Sequence, residues 1–131
     1  MSFTLEHDRK HNVLLVRFAG TLVREGHQEM VTAVRGFVAS NGPCHAIVDF
    51  GGVEDFQLDL DYIKRIAQQP AVLFGQKRVL VAPTDDIFGT MRMFEMRQSA
   101  TGDEPMVVRT LAEALARLDI ATPDFQLLAS E

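Results

Sequence analysis

The chain has a single cysteine, Cys44, so an intrachain disulfide is excluded. A lone thiol suits a reducing compartment, and the expected location is cytoplasmic. Basic residues are also scarce: 13 Lys and Arg stand against 18 Asp and Glu, a formal net charge of −5. The positive footprint of a nucleic-acid binder is missing, and so is the attraction that would hold the chain on an anionic membrane. Apolar runs such as Val13–Val16 and Val79–Ala82 are far too short to span a bilayer. The N-terminal residues, from Phe3 to His7, alternate apolar and polar. They carry no basic region followed by an apolar one, so they read as a strand and not as a signal peptide.

Catalytic patterns are thin as well. His7, His11, His27 and His45 have no metal-ligand spacing with Cys44. His45 adjoins Cys44 on a strand, where neighbours point to opposite faces. Gly51-Gly52 lacks the further glycine and the Lys-Ser/Thr of a phosphate loop, and is expected to be a turn. Asp49, Asp85 and Asp86 fall near strand ends where a switch-point Mg²⁺ would sit. The acidic pair that such a site needs after an early strand is replaced by Phe18-Ala19-Gly20. Solvated turns and a helix cap explain these carboxylates more simply. No catalytic residue, metal or cofactor is expected, and the chain reads as a non-enzyme.

What is present is ordinary globular composition, 47% apolar and 24% charged over 131 residues, enough for one domain with its own core. The organising stretch is His45–Phe50, a short buried strand running into Gly51-Gly52. Before it lie an edge strand, Phe3 to His7, and a second strand, Val13–Phe18, closed by Gly20. The short polar turn between them implies an antiparallel hairpin. The unbroken run Val13–Val16 implies burial on both faces. A helix follows from Leu22 to Ser40, with Met30, Val34, Phe37 and Val38 on one stripe and Gln28, Thr32 and Arg35 opposite. Asn41-Gly42-Pro43 stops it, Gly42 being the expected left-handed cap.

After an acidic loop, Asp59 or Asp61 is placed to cap a second helix that presents Leu60, Ile63, Ile66 and Ala67 and ends before Pro70. A fourth strand (Lys77–Ala82), a third helix (Asp86 to about Ala100), a fifth strand (Met106–Arg109) and a last helix follow. That helix opens on the capping box Thr110-Leu111-Ala112-Glu113. The fold class is α/β, a β-β-α-β-α-β-α-β-α sandwich. Its five-stranded sheet is mostly parallel, with an antiparallel N-terminal edge hairpin. Residues 1–120 form the domain; 121–131 read as a C-terminal tail in which Phe125, Leu127 and Leu128 are free to dock.

The third helix has two apolar faces. Ile87, Met91 and Phe94 lie on one, and Gly89, Met93, Met96 and Ala100 on nearly the opposite one. Arg92 and Glu95 separate them on one flank, and Arg97 borders the other. A helix packed on a sheet needs only one such face. Flexible thioethers beside small residues suit an adaptable contact. The surplus face is covered by a neighbouring helix or the tail, by a second subunit, or by an apolar ligand.

In this order the elements resemble the STAS fold of anti-sigma-factor antagonists, especially the SpoIIAA-like family of small bacterial proteins. The matching stretches run from Val13 to Leu118. They are Val16-Arg17-Phe18-Ala19-Gly20, Ala46-Ile47-Val48-Asp49-Phe50, Phe88-Gly89-Thr90-Met91-Arg92-Met93-Phe94-Glu95 and Arg109-Thr110-Leu111-Ala112-Glu113-Ala114-Leu115. In the antagonists a serine at the start of the second helix takes a regulatory phosphate. Here Phe56-Gln57-Leu58-Asp59-Leu60-Asp61 offers no Ser or Thr, so that switch cannot be installed at this spot.

The resemblance in fold, the missing catalytic constellation and the surplus apolar face of the third helix together imply a non-catalytic regulatory or protein-interaction module, a homodimer or the partner of another protein. Its binding residues would be Phe88, Gly89, Met93, Met96 and Ala100, with Glu54, Asp55 and Asp59 as a recognition loop. The family's likeness to CRAL-TRIO lipid-binding domains implies the alternative, a carrier or sensor of an apolar, lipid-like molecule. Neither nucleic acid nor stable membrane insertion is expected.

Overall fold

In the computed structural model, which describes residues 2–130, six strands form one mixed sheet in the order β5-β4-β3-β2-β1-β6. Along the chain these are β1 (Ser2–Asp8), β2 (Val13–Leu22), α1 (Arg24–Asn41), β3 (His45–Phe56), α2 (Leu60–Ala67), β4 (Arg78–Val81), α3 (Asp85–Gln98), β5 (Met106–Val108), α4 (Leu111–Arg117) and β6 (Gln126–Ser130). A 3₁₀ turn, Ser99–Thr101, extends α3. β1 and β2 form the expected antiparallel hairpin, and β2 to β5 are parallel neighbours.

Each crossover from β2 to β5 steps the same way across the sheet. Crossovers of one hand that step one way lay their helices on one face. Residues of α1, α2 and α3 accordingly share a core cluster with Leu14, Val16 and Phe18, while α4 and Ile120 cover the other face with Val13, Leu15 and Ile47. The run Val13–Val16 is buried on both sides, as its unbroken apolar character requires. Because no strand reverses this order between β2 and β5, the parallel block has no switch-point crevice. Space for a ligand has to come from between the helices and the sheet. No helix among the described residues is long and apolar enough to cross a membrane.

Several expectations change. β1 is not an edge strand: β6 pairs antiparallel with it, making six strands instead of five. Residues 126–130 of the expected tail are therefore sheet; residue 131 lies outside the described residues. A buried carboxylate ties this segment down. Asp8, 0% exposed, accepts hydrogen bonds from Asp124 N (3.0 Å), His11 N (3.0 Å) and His11 Nδ1 (2.8 Å). Phe125 packs into the second cluster, whereas Leu127 and Leu128 stay exposed.

β3 does not stop at Phe50. It continues to Phe56 beside Ala19–Leu22 of β2, so Gly51-Gly52 is strand and not turn, and Leu22 belongs to β2 and not to α1. The register gains an extra β3 residue twice, between Arg17 and Ala19 and again between Gly20 and Thr21. Such bulges break the two-residue alternation. The inward series then reads Phe50, Val53 and Phe56, all three against the first core cluster. Gly52 is required there, because a Cβ would sit 2.7 Å from the Phe18 carbonyl oxygen.

The helix ends follow local chemistry. Asp59, Thr84 and Thr110 cap α2, α3 and α4 by accepting from Tyr62 N, Ile87 N and Glu113 N. α1 has no side-chain cap at its start, and it ends at Gly42 with φ +85° and ψ 174°, a positive φ that suits glycine but lies outside the left-handed helical well. On α2 the expected inward Leu60 is 53% exposed, and Tyr62 takes the inward place beside Ile63 and Ala67.

Candidate functional site

A cavity of about 430 Å³ lies between α1, α2 and the sheet. Its floor follows from strand register. Leu14, Ala46 and Arg78 form one cross-strand row, and Val16, Val48 and Leu80 form the next. Ala46 is the small member of its row, which leaves depth in the middle of the floor. Met30, Val31 and Val34 of α1 wall one side, and Ile63 and Ile66 of α2 the other, with Leu73, Met91 and Phe94 beyond. The space exists because the two helices lean apart. α2 packs against α3, while α1 leans over β1, where Phe37 meets the His7 ring at 4.9 Å.

Both helices return antiparallel to the strands they connect, so their first turns lie over the strands' C-terminal ends. There they are latched together. His27 Nδ1 and the Tyr62 hydroxyl are 2.6 Å apart, and the rings meet edge to face. Outside that pair, Arg24 Nη2 donates to Asp59 Oδ2 at 2.6 Å, and its guanidinium lies 5.2 Å from the Tyr62 ring centre. Burial lowers the His27 pKa to about 4 and pushes that of Tyr62 up. The ring of His27 is therefore neutral at pH 7, and the latch is a neutral hydrogen bond inside a charged one.

The other end is polar in a different way. Burial lowers the pKa of Arg78, opposed by Asp103, which pairs with it at 3.3 Å and also accepts from Nη2 through its backbone carbonyl. Arg78 Nη1 reaches Gln98 Oε1 at 3.4 Å, while its buried Nε finds no acceptor among the described residues. Gln28, Thr32 and Arg35 of α1, Arg65 of α2 and Gln69 just after α2 line the cavity from exposed positions, forming its rim. The polar stripe of α1 thus borders the cavity instead of facing away from it.

The residues singled out from sequence are placed elsewhere. On α3, Ile87 and Met91 are buried as expected, and Met91 reaches the cavity. Of the second face, Met93 is half-buried against the core, Met96 is 67% exposed, and Gly89 and Ala100 are exposed. The C-terminal segment does not cover that face. It forms β6 at the opposite edge of the sheet from β5, against which α3 packs. Phe88 is half-buried, with the Arg109 guanidinium 4.0 Å from its ring centre. Glu54 and Asp55 project from strand β3 and not from a loop, and Asp59 is a helix cap. Asp49 Oδ1 accepts from Gly51 N at 2.8 Å, and Asp85 pairs with Arg109 at 2.9 Å. Among the described residues no group of three or more His, Cys, Asp or Glu side chains is placed to hold a metal ion.

Sequence reasoning did not pick out His27, Tyr62, Arg35, Arg65 or Arg78. A signal for the first was available: His27, Val31 and Arg35 recur at i, i+4 and i+8, a second stripe beside the core stripe of α1. Neither a scan against protein-family models nor a search of curated proteins found a match.

Proposed function

We propose that this chain is a non-catalytic binding domain, of the STAS-like type its sequence resembles, that carries or senses an apolar small molecule in the cavity between α1 and α2. The observation that supports the reading most is the cavity itself. Its size falls within the roughly 300–1,000 Å³ usual for small-molecule sites, and its walls are mainly apolar with a few polar groups at the ends. Each methylene moved from water into such surroundings contributes about 0.8 kcal/mol.

Native mass spectrometry of the gently purified chain, followed by organic extraction, tests this reading. A bound apolar species of defined mass is expected. Val48→Phe, which puts a ring on the cavity floor, should lose that species while keeping the wild-type circular dichroism. Wild-type protein that carries nothing and takes up no added dodecanol would contradict it.

A second reading, a regulatory or protein-interaction module that self-associates, has one observation in its favour. The exposed Met96 and half-buried Met93 leave an apolar patch on α3 that β6 is too far away to cover.

A further inference from the structure

We infer that the cavity selects an amphipathic anion, an apolar chain or ring system with one anionic head held at the rim by Arg35 and Arg65. The inference rests on the apolar-ligand reading above and names the ligand class. The charge distribution carries it. The chain has 18 acidic residues against 13 basic ones, yet the cavity is bordered by three arginines and by no Asp or Glu.

Those arginines are not equivalent. Arg78 is committed to Asp103 at the buried end. Arg35 and Arg65 sit exposed on facing helices, and neither takes part in an ion pair among the described residues. Asp59, whose carboxyl feels the Arg65 charge, is already held by Arg24 at 2.6 Å. Two uncommitted guanidinium groups at the mouth of an apolar cavity match a carboxylate or a phosphate head, which a planar fork of N–H donors grips with two parallel bonds. An acidic chain repels such a ligand overall, so a local cationic rim is what admits it.

The test is equilibrium binding of four probes with one chain length, below their aggregation thresholds: dodecanoate, dodecyl phosphate, dodecanol and dodecylamine. At least one anion should bind about tenfold tighter than dodecanol, and dodecylamine more weakly than dodecanol. The tighter of the two anions identifies the head. Added salt should narrow the preference, because the rim is exposed. Arg35→Gln with Arg65→Gln should erase it and leave dodecanol affinity unchanged, the wild-type melting curve confirming the fold. Anions that bind no tighter than dodecanol, or a preference that survives in the double variant, would overturn the rim assignment and leave the apolar-ligand reading standing. Failure of every probe, dodecanol included, would overturn both.

Discussion

Two buried titratable residues give the fold a pH dependence whose sign can be worked out. His27 is held near pKa 4 by burial, against 6.5 in the unfolded chain. Between those values the unfolded state binds more protons, so stability is full above pH 6.5 and declines toward pH 4, by at most about 3 kcal/mol. For Asp8, burial acts to raise the pKa. Hydrogen bonds from Asp124 and His11, with the nearby His11 charge, outweigh it and hold the carboxyl at about 2, against 3.8. Its contribution, about 2 kcal/mol, is present above pH 3.8 and lost as pH falls through about 2. Urea melts across pH 2–8 read both effects. His27→Gln, which still offers Tyr62 a hydrogen-bond partner, should flatten the slope between pH 6.5 and 4. Asp8→Asn should leave that slope intact and lower stability at pH 7. A wild-type curve level from pH 7 to pH 4 would contradict the burial of a neutral His27.

At the scale of elements, what was legible in the sequence is what local chemistry decides. Thr110 and Glu113 announce the start of α4, Asp59 or Asp61 that of α2, where Asp59 is the cap, and the Val13–Val16 run declares a strand covered on both sides. β3 was misread at Phe50 because two bulges replace its alternation, leaving Phe50, Val53 and Phe56 three residues apart on one side. β6 was missed because a distant contact places it, the Asp124 amide on Asp8, and Leu127 and Leu128 show no alternation of their own. The double-faced character of α3 was visible, and it yields a separate prediction. Met96→Asp should leave the isolated fold and probe binding unchanged, because Met96 is exposed and stands outside the cavity. If the α3 patch mediates self-association, sedimentation equilibrium should show a wild-type dimer that this substitution weakens. A wild-type monomer at every accessible concentration would remove the second reading.

For the whole molecule, the decisive feature is one that no single element encodes. On α1 alone, Gln28, Thr32 and Arg35 lie opposite the core stripe. Only when α1 leans over β1 and α2 packs on α3 do those residues become the rim of an apolar space. The latch from His27 and Arg24 to Tyr62 and Asp59 fixes the first turns of the two helices to each other, and Arg35 and Arg65 stand on the rim between them. Methyl-resolved NMR during titration with dodecanol, the neutral probe, addresses that arrangement most directly. The methyl signals of Val31, Val48, Ile66 and Leu80 should shift together and saturate while that of Met96 stays in place. Shifts confined to Met93 and Met96, or no saturable shift at all, would contradict a ligand site between α1 and α2.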